Sequence, residues 1–350
     1  METRKIQKVG ASTLTVSLPK DWVTRRGVHQ GDQVVLQEEG ATLRIVPAAA
    51  YAVSVKEEYV IDAGLCDKPG LLTRVLVGNY VLGRDRLLIQ GEGRLSSEHL
   101  AETREAARRL MGVGIIEETA TKISLQCSID PTRYPIDALL KRMYNISQTM
   151  LEESVEALVT RDPALARDAI AREDDADTLY YLVLRLILSA QMDEGLLEPL
   201  GIKSRLEIAG DRAIARDLEG VADHCEDIAR NVLFILDKNL KVPDSVVKSL
   251  KTRIERVKKA YTSAIAALLS HDIHAAYEAG ELAVAFQDDL QTLTRQLLRE
   301  GRSMEMLVAM RSVIQGLSRM GEYAKSISMI AVNRYLERPT NLCRPVETKG

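Results

Sequence analysis

The sequence predicts a multidomain chain: an N-terminal β domain, a small α/β middle domain and a C-terminal all-α region built from two three-helix repeats. Three observations predict it. Residues 13–18 run Thr, Leu, Thr, Val, Ser, Leu, the period-2 alternation of a half-buried strand. Residues 51–134 switch between strand-like and helix-like runs. Residues 136–338 carry apolar positions at helical spacing almost throughout, interrupted by short links containing Pro, Gly or Asp.

Composition sets the outer bounds. A chain of 350 residues, 46% hydrophobic and 28% charged, has room for two or three soluble domains. A formal charge of −3 excludes a polycation, so any nucleic-acid contact must be local. Cys66, Cys127, Cys225 and Cys343 are scattered with no CxxC pair, which argues against a disulfide framework or a zinc knuckle. No apolar run approaches the roughly 18 residues that a membrane span needs. The charged N-terminus lacks a signal-peptide apolar core. The expectation is a cytoplasmic protein with no membrane insertion.

The elements follow in order. Residues 1–50 form the first domain. Pro19 stands where the "TLTVSLP" strand gives way to a short helix, which Gly27 ends. Trp22 on that helix is expected in a core. "VVLQEEGATLRIV" reads as a hairpin turning around Glu39-Gly40. Residues 51–134 read as strand, helix, strand, helix, strand, with Ser96 or Ser97 capping the second helix and Gly112 just past its end. "GEGRLS" has neither GxGxxG nor GK[ST], so this segment reads as a spacer or ligand-sensing domain rather than a nucleotide site. "DPTRYP" marks the next boundary. Helices are expected at 136–160, 163–192, 203–238, 244–270, 272–300 and 303–337 within a domain of residues 135–338, followed by a tail, 339–350. Asp162 and Asp244 are candidate N-caps, and Pro163 suits the first helical position.

An internal repeat runs through the helices. Asp162 aligns with Asp272, and residues 219–229 align with 318–328. The third helix poses a question of charge. Glu219, Asp223 and Asp227 are spaced four apart beside an apolar stripe of Leu218, Val221, Cys225, Ile228 and Val232. Like charges at that spacing destabilise a helix by a few tenths of a kcal/mol per pair.

"LEGVADHCEDIARNV" resembles the third-helix motif of the PhoU family of phosphate-transport regulators, matching at Glu219, Asp223, His224, Ile228 and Ala229. "EDDADTL" is similar to the acidic second-helix motif of the same family, at Glu173 and Asp177. The resemblance implies a metal held by carboxylates on the bundle surface, with Glu173, Asp177, Glu219 and Asp223 as ligands. A divalent or trivalent ion (Fe, Mn, Zn or Mg) suits oxygen donors. In the second repeat Ser318 and Glu322 replace Glu219 and Asp223, and Ala283 and Gln287 replace Glu173 and Asp177, so that site is expected to be vestigial. A ferritin-like di-iron centre is disfavoured, since Val221 rather than Glu stands three residues before His224. His224 is expected beside the site or on the helix surface.

Residues 1–47 resemble the SpoVT/AbrB-type swapped-hairpin DNA-binding domain. The shared features are a basic first strand, a Gly before "TLTVSLP", a short helix ending "RRG", and "GDQVVL". The resemblance implies an obligate dimer, and a unit this small is near the size at which oligomerisation supplies the core. Arg4, Lys5, Lys8, Lys20, Arg25 and Arg26 face two acidic residues within 1–30, a local excess of four positive charges per copy. They are the candidate DNA-binding residues. The two resemblances together imply an archaeal-type PhoU-related regulator: a homodimer that couples phosphate status to transcription. Two alternatives stay open. One is a PhoU-like protein acting directly on a phosphate ABC transporter without DNA; the other is an antitoxin-like DNA binder. No nucleophile–base pair or cofactor loop suggests an enzyme.

Overall fold

The computed structural model describes residues 3–10, 12–39, 42–48, 57–300 and 303–346. The chain divides into two compact units, residues 1–59 and 60–350.

In the first unit β1 (Gln7–Val9) pairs antiparallel with β2 (Thr13–Thr15), with Lys8 opposite Leu14. Helix α1 (Lys20–Arg26) follows Pro19 and ends at Gly27, whose φ of 62° is the left-handed conformation that glycine adopts without a Cβ clash. Strands β3 (Val34–Glu39) and β4 (Thr42–Pro47) form the expected hairpin, with Glu39 opposite Thr42; the Gly40 of its anticipated turn lies outside the described residues. None of the residues from 3 to 48 whose side chains are described is buried. Ile6, Leu14 and Leu36 are 69%, 66% and 59% exposed, and Trp22 is half-buried rather than in a core.

The second unit opens with a four-stranded sheet, ordered β5-β6-β8-β7: β5 (Glu58–Asp62), β6 (Arg86–Gln90), β7 (Val113–Glu118) and β8 (Lys122–Cys127). Strand β8 pairs antiparallel with both β6 and β7. The sequence reading has no strand at β7. It is an edge strand, all but its first residue exposed, so it shows no apolar alternation to read. Helices α2 (Leu71–Val81) and α3 (Ser97–Arg109) accompany the sheet over a core that includes Leu72, Leu76, Tyr80, Ile89, Ile123 and Leu125. Ser96 caps α3, accepting from the His99 amide at 3.0 Å. Glu102 of α3 accepts from the amides of Gly70 and Thr73 at 2.8 and 2.9 Å, satisfying donors at the start of α2.

The rest is helical: α4 (Ile136–Thr160), α5 (Pro163–Ala171), α6 (Glu173–Met192), α7 (Arg205–Asp237), α8 (Asp244–Ser270), α9 (Ile273–Glu300) and α10 (Met304–Leu336). Their apolar faces meet in one continuous core. Two expectations are corrected. The single helix over 163–192 is two, divided at Arg172, which forks onto Glu153 of α4 at 2.8 and 2.7 Å. That cross-helix pairing is invisible in local sequence. Asp244 is the first residue of α8 instead of its cap, a place held by Pro243. Asp162 does cap α5, accepting from the Ala164 amide at 2.9 Å, and Asp272 accepts from the amides of His274 and Ala275. Arg161 and His271, left-handed at φ 58° and 52°, end α4 and α8 at places that the repeat alignment equates.

The sheet layer is tied to the helices chiefly through α6. Arg185 donates to the carbonyls of Tyr80 and Arg84 at 2.8 and 3.2 Å, pairs with Asp85 and lies 4.9 Å from the centre of the Tyr80 ring. Thr178 donates to the Arg109 carbonyl at 2.9 Å.

Candidate cation site and nucleic-acid face

Helix α6 begins with its acids. Starting at Glu173 puts three carboxylates in its first turn, where the positive end of the helix dipole favours them. Glu173 and Asp177 then share a side, one turn apart. Helix α7 brings Asp223 near enough to Asp177 to raise the Asp177 carboxyl, and Glu226 near enough to Glu173 to raise that of Glu173. The Glu173 carboxyl is pushed up to about 7, by loss of solvent first and by the charges of Asp177 and Glu226 after it. Burial also raises Asp177 and Asp223; Arg109 opposes the rise at Asp177, and Arg216 followed by His224 opposes it at Asp223.

Glu219, Asp223 and Asp227 do not act as one line. Glu219 is largely buried and pairs with Arg216, whereas Asp227 is 65% exposed and lies 3.7 Å from His224. His224 stacks loosely on Tyr323, with ring centres 6.0 Å apart. The residues missed by sequence reasoning are Glu226 and Arg109. Glu226 has the apolar Cys225 as neighbour and pairs with Arg230. Arg109 comes from the C-terminal turn of α3 in the sheet layer. Its guanidinium reaches Asp177 at 2.9 Å and Asp174 at 3.1 Å. No spacing rule relates residues 68 positions apart, so nothing in the sequence marks that pairing.

The donor set suits a hard cation in type and charge: oxygen atoms only, with carboxyls raised by burial first and by one another's charge after it. The arrangement itself is closed by arginines, Arg109 at Asp177 and Arg216 at Glu219. Among the described residues no three His, Cys, Asp or Glu side chains converge as metal ligands.

In the second repeat Gln287 and Ser318 hydrogen-bond each other. The Ser318 hydroxyl donates to the Gln287 amide oxygen at 2.7 Å, and the Gln287 amide nitrogen donates to the Ser318 carbonyl at 2.6 Å. Ala283 is buried, and Glu322 pairs with Arg319 at 2.6 Å.

In the first unit Arg4, Lys5, Lys8, Lys20, Arg25 and Arg26 are all exposed. The Arg4 guanidinium donates to the Ser17 hydroxyl at 3.0 Å, and Arg25 and Arg26 occupy the last turn of α1. Among the described residues no helix is long and apolar enough to cross a membrane.

The helical region has known relatives. Residues 140–232 match the sequence profile of the PhoU domain, and all four predicted metal ligands fall within that stretch. The "phosphate-specific transport system accessory protein PhoU homolog 2" of Thermotoga maritima is 32% identical over 91 residues, 26% of this chain. That match spans 37% of the relative's length. Among solved structures, PhoU from Pseudomonas aeruginosa superposes with a TM-score of 0.49 at 15% identity, over 56% of this chain and 93% of that one. The PhoU regulatory protein of Streptococcus pneumoniae gives 0.47 at 16% identity, over 58% and 96%. The helices spanning residues 140–232, which carry the acidic cluster, are thus similar to the PhoU domain.

Proposed function

We propose that this chain is a phosphate-responsive transcriptional regulator of phosphate uptake, which binds DNA as a homodimer through residues 1–50 and senses through its PhoU-like helices. One observation carries the reading: a PhoU domain shares a chain with a basic N-terminal unit whose described strands bury none of their apolar residues. Exposing Ile6, Leu14, Val16 and Leu36 on a free protomer is unfavourable, at about 25 cal/mol per Å² of apolar surface left in water. An interlocked second copy would cover them. The curated relative named above is an accessory protein of a phosphate-specific transport system, which supports phosphate uptake as the process regulated.

Fluorescence anisotropy on duplex DNA from the protein's own promoter region tests the DNA arm. Binding should be salt-sensitive, and Arg25→Glu/Arg26→Glu should abolish it while sedimentation still reports a dimer. Milder variants that each release one DNA phosphate should flatten the slope of log K against log salt by about 0.9 apiece. Unchanged binding and slope would take Arg25 and Arg26 out of the DNA face, and the absence of salt-sensitive binding by the wild type would remove DNA from the function and leave direct action on a transporter.

The acidic cluster carries the sensing arm. In this reading Glu173, Asp177, Glu219 and Asp223 hold a divalent or trivalent cation (Fe, Mn, Zn or Mg) in exchange for the arginines that now neutralise them. Elemental analysis of purified protein, set against Glu219→Gln/Asp223→Asn, tests it. Equal metal content in both proteins would refute the assignment.

A further inference from the structure

Where the second repeat has lost its acids, a groove opens between α9 and α10. Its volume is about 390 Å³. One wall is a stripe of α9 at helical spacing, Gln287, Gln291 and Thr294; the other is a stripe of α10, Arg311, Gln315, Ser318, Arg319 and Glu322. Leu290 and Ile314, both buried, form the floor. The position is set by the fold. Gln287 stands opposite Asp177 in the repeat alignment, and Ser318 and Glu322 stand opposite Glu219 and Asp223. The mutual hydrogen bonds of Gln287 and Ser318 hold the two walls together at this level.

The chemistry is the reverse of the first repeat's. Among the described residues the lining has two guanidinium groups, three primary amides and two hydroxyls, of which the Gln287 amide and the Ser318 hydroxyl bond each other, against a single carboxylate, Glu322. That carboxylate already pairs with Arg319. The nearby acid Asp289 is turned to α8, where Arg253 and Arg256 hold it at 3.0 and 2.6 Å. No ion-pair partner of Arg311 is found among the described residues. The lining is thus a net donor surface with one spare guanidinium, suited to an oxyanion. Spacing narrows the choice. Arg311 and Arg319 are eight residues apart, so their Cα atoms are separated by about 12 Å along α10. They bracket an extended anion better than they converge on a single tetrahedral one. The groove is open to solvent along one side, and its volume falls in the range of small-molecule sites, roughly 300–1,000 Å³.

We propose that the α9–α10 groove is a binding site for a small molecule bearing a diphosphate group, bracketed by Arg311 and Arg319 and oriented by the amides of Gln291 and Gln315. The site deepens the regulatory reading, on which its relevance to phosphate status rests. The groove's charge and dimensions stand without that reading.

Isothermal titration of the full chain with pyrophosphate, ADP, orthophosphate and adenosine tests it. Pyrophosphate, ADP or both should bind saturably and more tightly than orthophosphate, and adenosine should not bind. ADP binding without pyrophosphate binding assigns the site to nucleotides; the reverse assigns it to the free anion. Arg311→Gln/Arg319→Gln, both at exposed positions, should weaken that binding at least tenfold with an unchanged circular dichroism spectrum, while Arg299→Gln on α9 should leave it intact. No saturable binding of either diphosphate, binding no tighter than orthophosphate's, or affinity unaffected by the double variant would overturn the proposal. The DNA assay is independent of this one: diphosphate binding with no DNA binding would sink only the transcriptional reading.

Discussion

Replacing Arg109 by Met removes a guanidinium from the acidic cluster while keeping most of the stem that packs between α3 and α6. The magnitude follows from its partners. Asp174 is 70% exposed, so that pair contributes only a few tenths of a kcal/mol. Asp177 is 14% exposed, and a hydrogen bond to a charged group with that little solvent is worth about 1.5–3 kcal/mol, less some screening through the partly open Arg109. Removing the guanidinium also leaves Asp177 facing Glu173 and Asp223 unopposed. Arg109→Met should therefore destabilise residues 60–350 by about 2 kcal/mol at pH 7.5. Asp177→Asn should cost less, because it relieves repulsion as it breaks the pair. The decisive quantity is the double-mutant coupling, measured by urea unfolding of the two single variants and the double. It should be about 1–2 kcal/mol. Coupling below about 0.5 kcal/mol would mean that the pair contributes no more than a surface ion pair, and the role of Arg109 as the cluster's counter-ion would be refuted. Manganese should stabilise Arg109→Met more than wild type, since its competitor is gone.

Three further perturbations follow from the same structure. Glu173, raised from 4.5 to about 7, holds a proton in the folded state that the unfolded chain has lost, so stability should fall as pH rises from about 4.5 to 7. The full shift corresponds to about 3 kcal/mol, and screening of this half-exposed group brings the expectation to 1–2; Glu173→Gln should flatten the profile, and an unchanged slope would exclude Glu173 as its source. Arg334→Met breaks the buried pair with Asp211, whose side chains are 5% and 3% exposed, and should cost about 3–5 kcal/mol in urea unfolding, with Arg334→Met/Asp211→Asn recovering part of it. Gly112→Ala places a Cβ 2.4 Å from Ile129 at a φ of +76°, so a thermal scan should show a loss worth about 2–3 kcal/mol; a loss under 0.5 would mean that this turn adopts another backbone conformation.

Much of this architecture is legible in the residues, for reasons that differ by element. The long helices announce themselves because each buries one face and solvates the other, and Asp162-Pro163 marks a start that the structure keeps. Gly112, just past the end of α3, is readable because glycine is the residue that takes a left-handed φ, here +76°, without a Cβ clash. Strand β7 and the break at Arg172 are not readable, since one lacks a buried face and the other depends on Glu153, a residue on a different helix. Of the candidate ligands, Glu173 and Asp177 share one side of α6 as their spacing suggests, and Asp223 of α7 lies near Asp177. Their neutralisation by Arg109 is a long-range pairing with no local signature.

Helix α6 is where the two layers of the second unit exchange arginines. Arg109 leaves the sheet layer to reach Asp177, and Arg185 leaves the helices to reach Asp85 and the Tyr80 carbonyl. Asp177 and Arg185 are eight residues apart, about 12 Å along the helix, so these are two separate anchors of one interface. They differ in what can disturb them. Arg185 is 7% exposed and, besides Asp85, holds two backbone carbonyls, which cannot be titrated or exchanged. Arg109 is 38% exposed and holds carboxylates crowded by other acids, so protonation or a competing cation can take its partners away. Anything that claims Asp177 therefore leaves the C-terminal end of α3 held to α6 by the weaker Thr178 hydrogen bond while Arg185 keeps the layers docked. The expected response is a local loosening around residues 104–112, visible as faster amide exchange there and unchanged exchange at 80–86. Uniform loosening of both segments would show that the interface yields as one piece and would leave α6 no means of reporting on the acidic cluster alone.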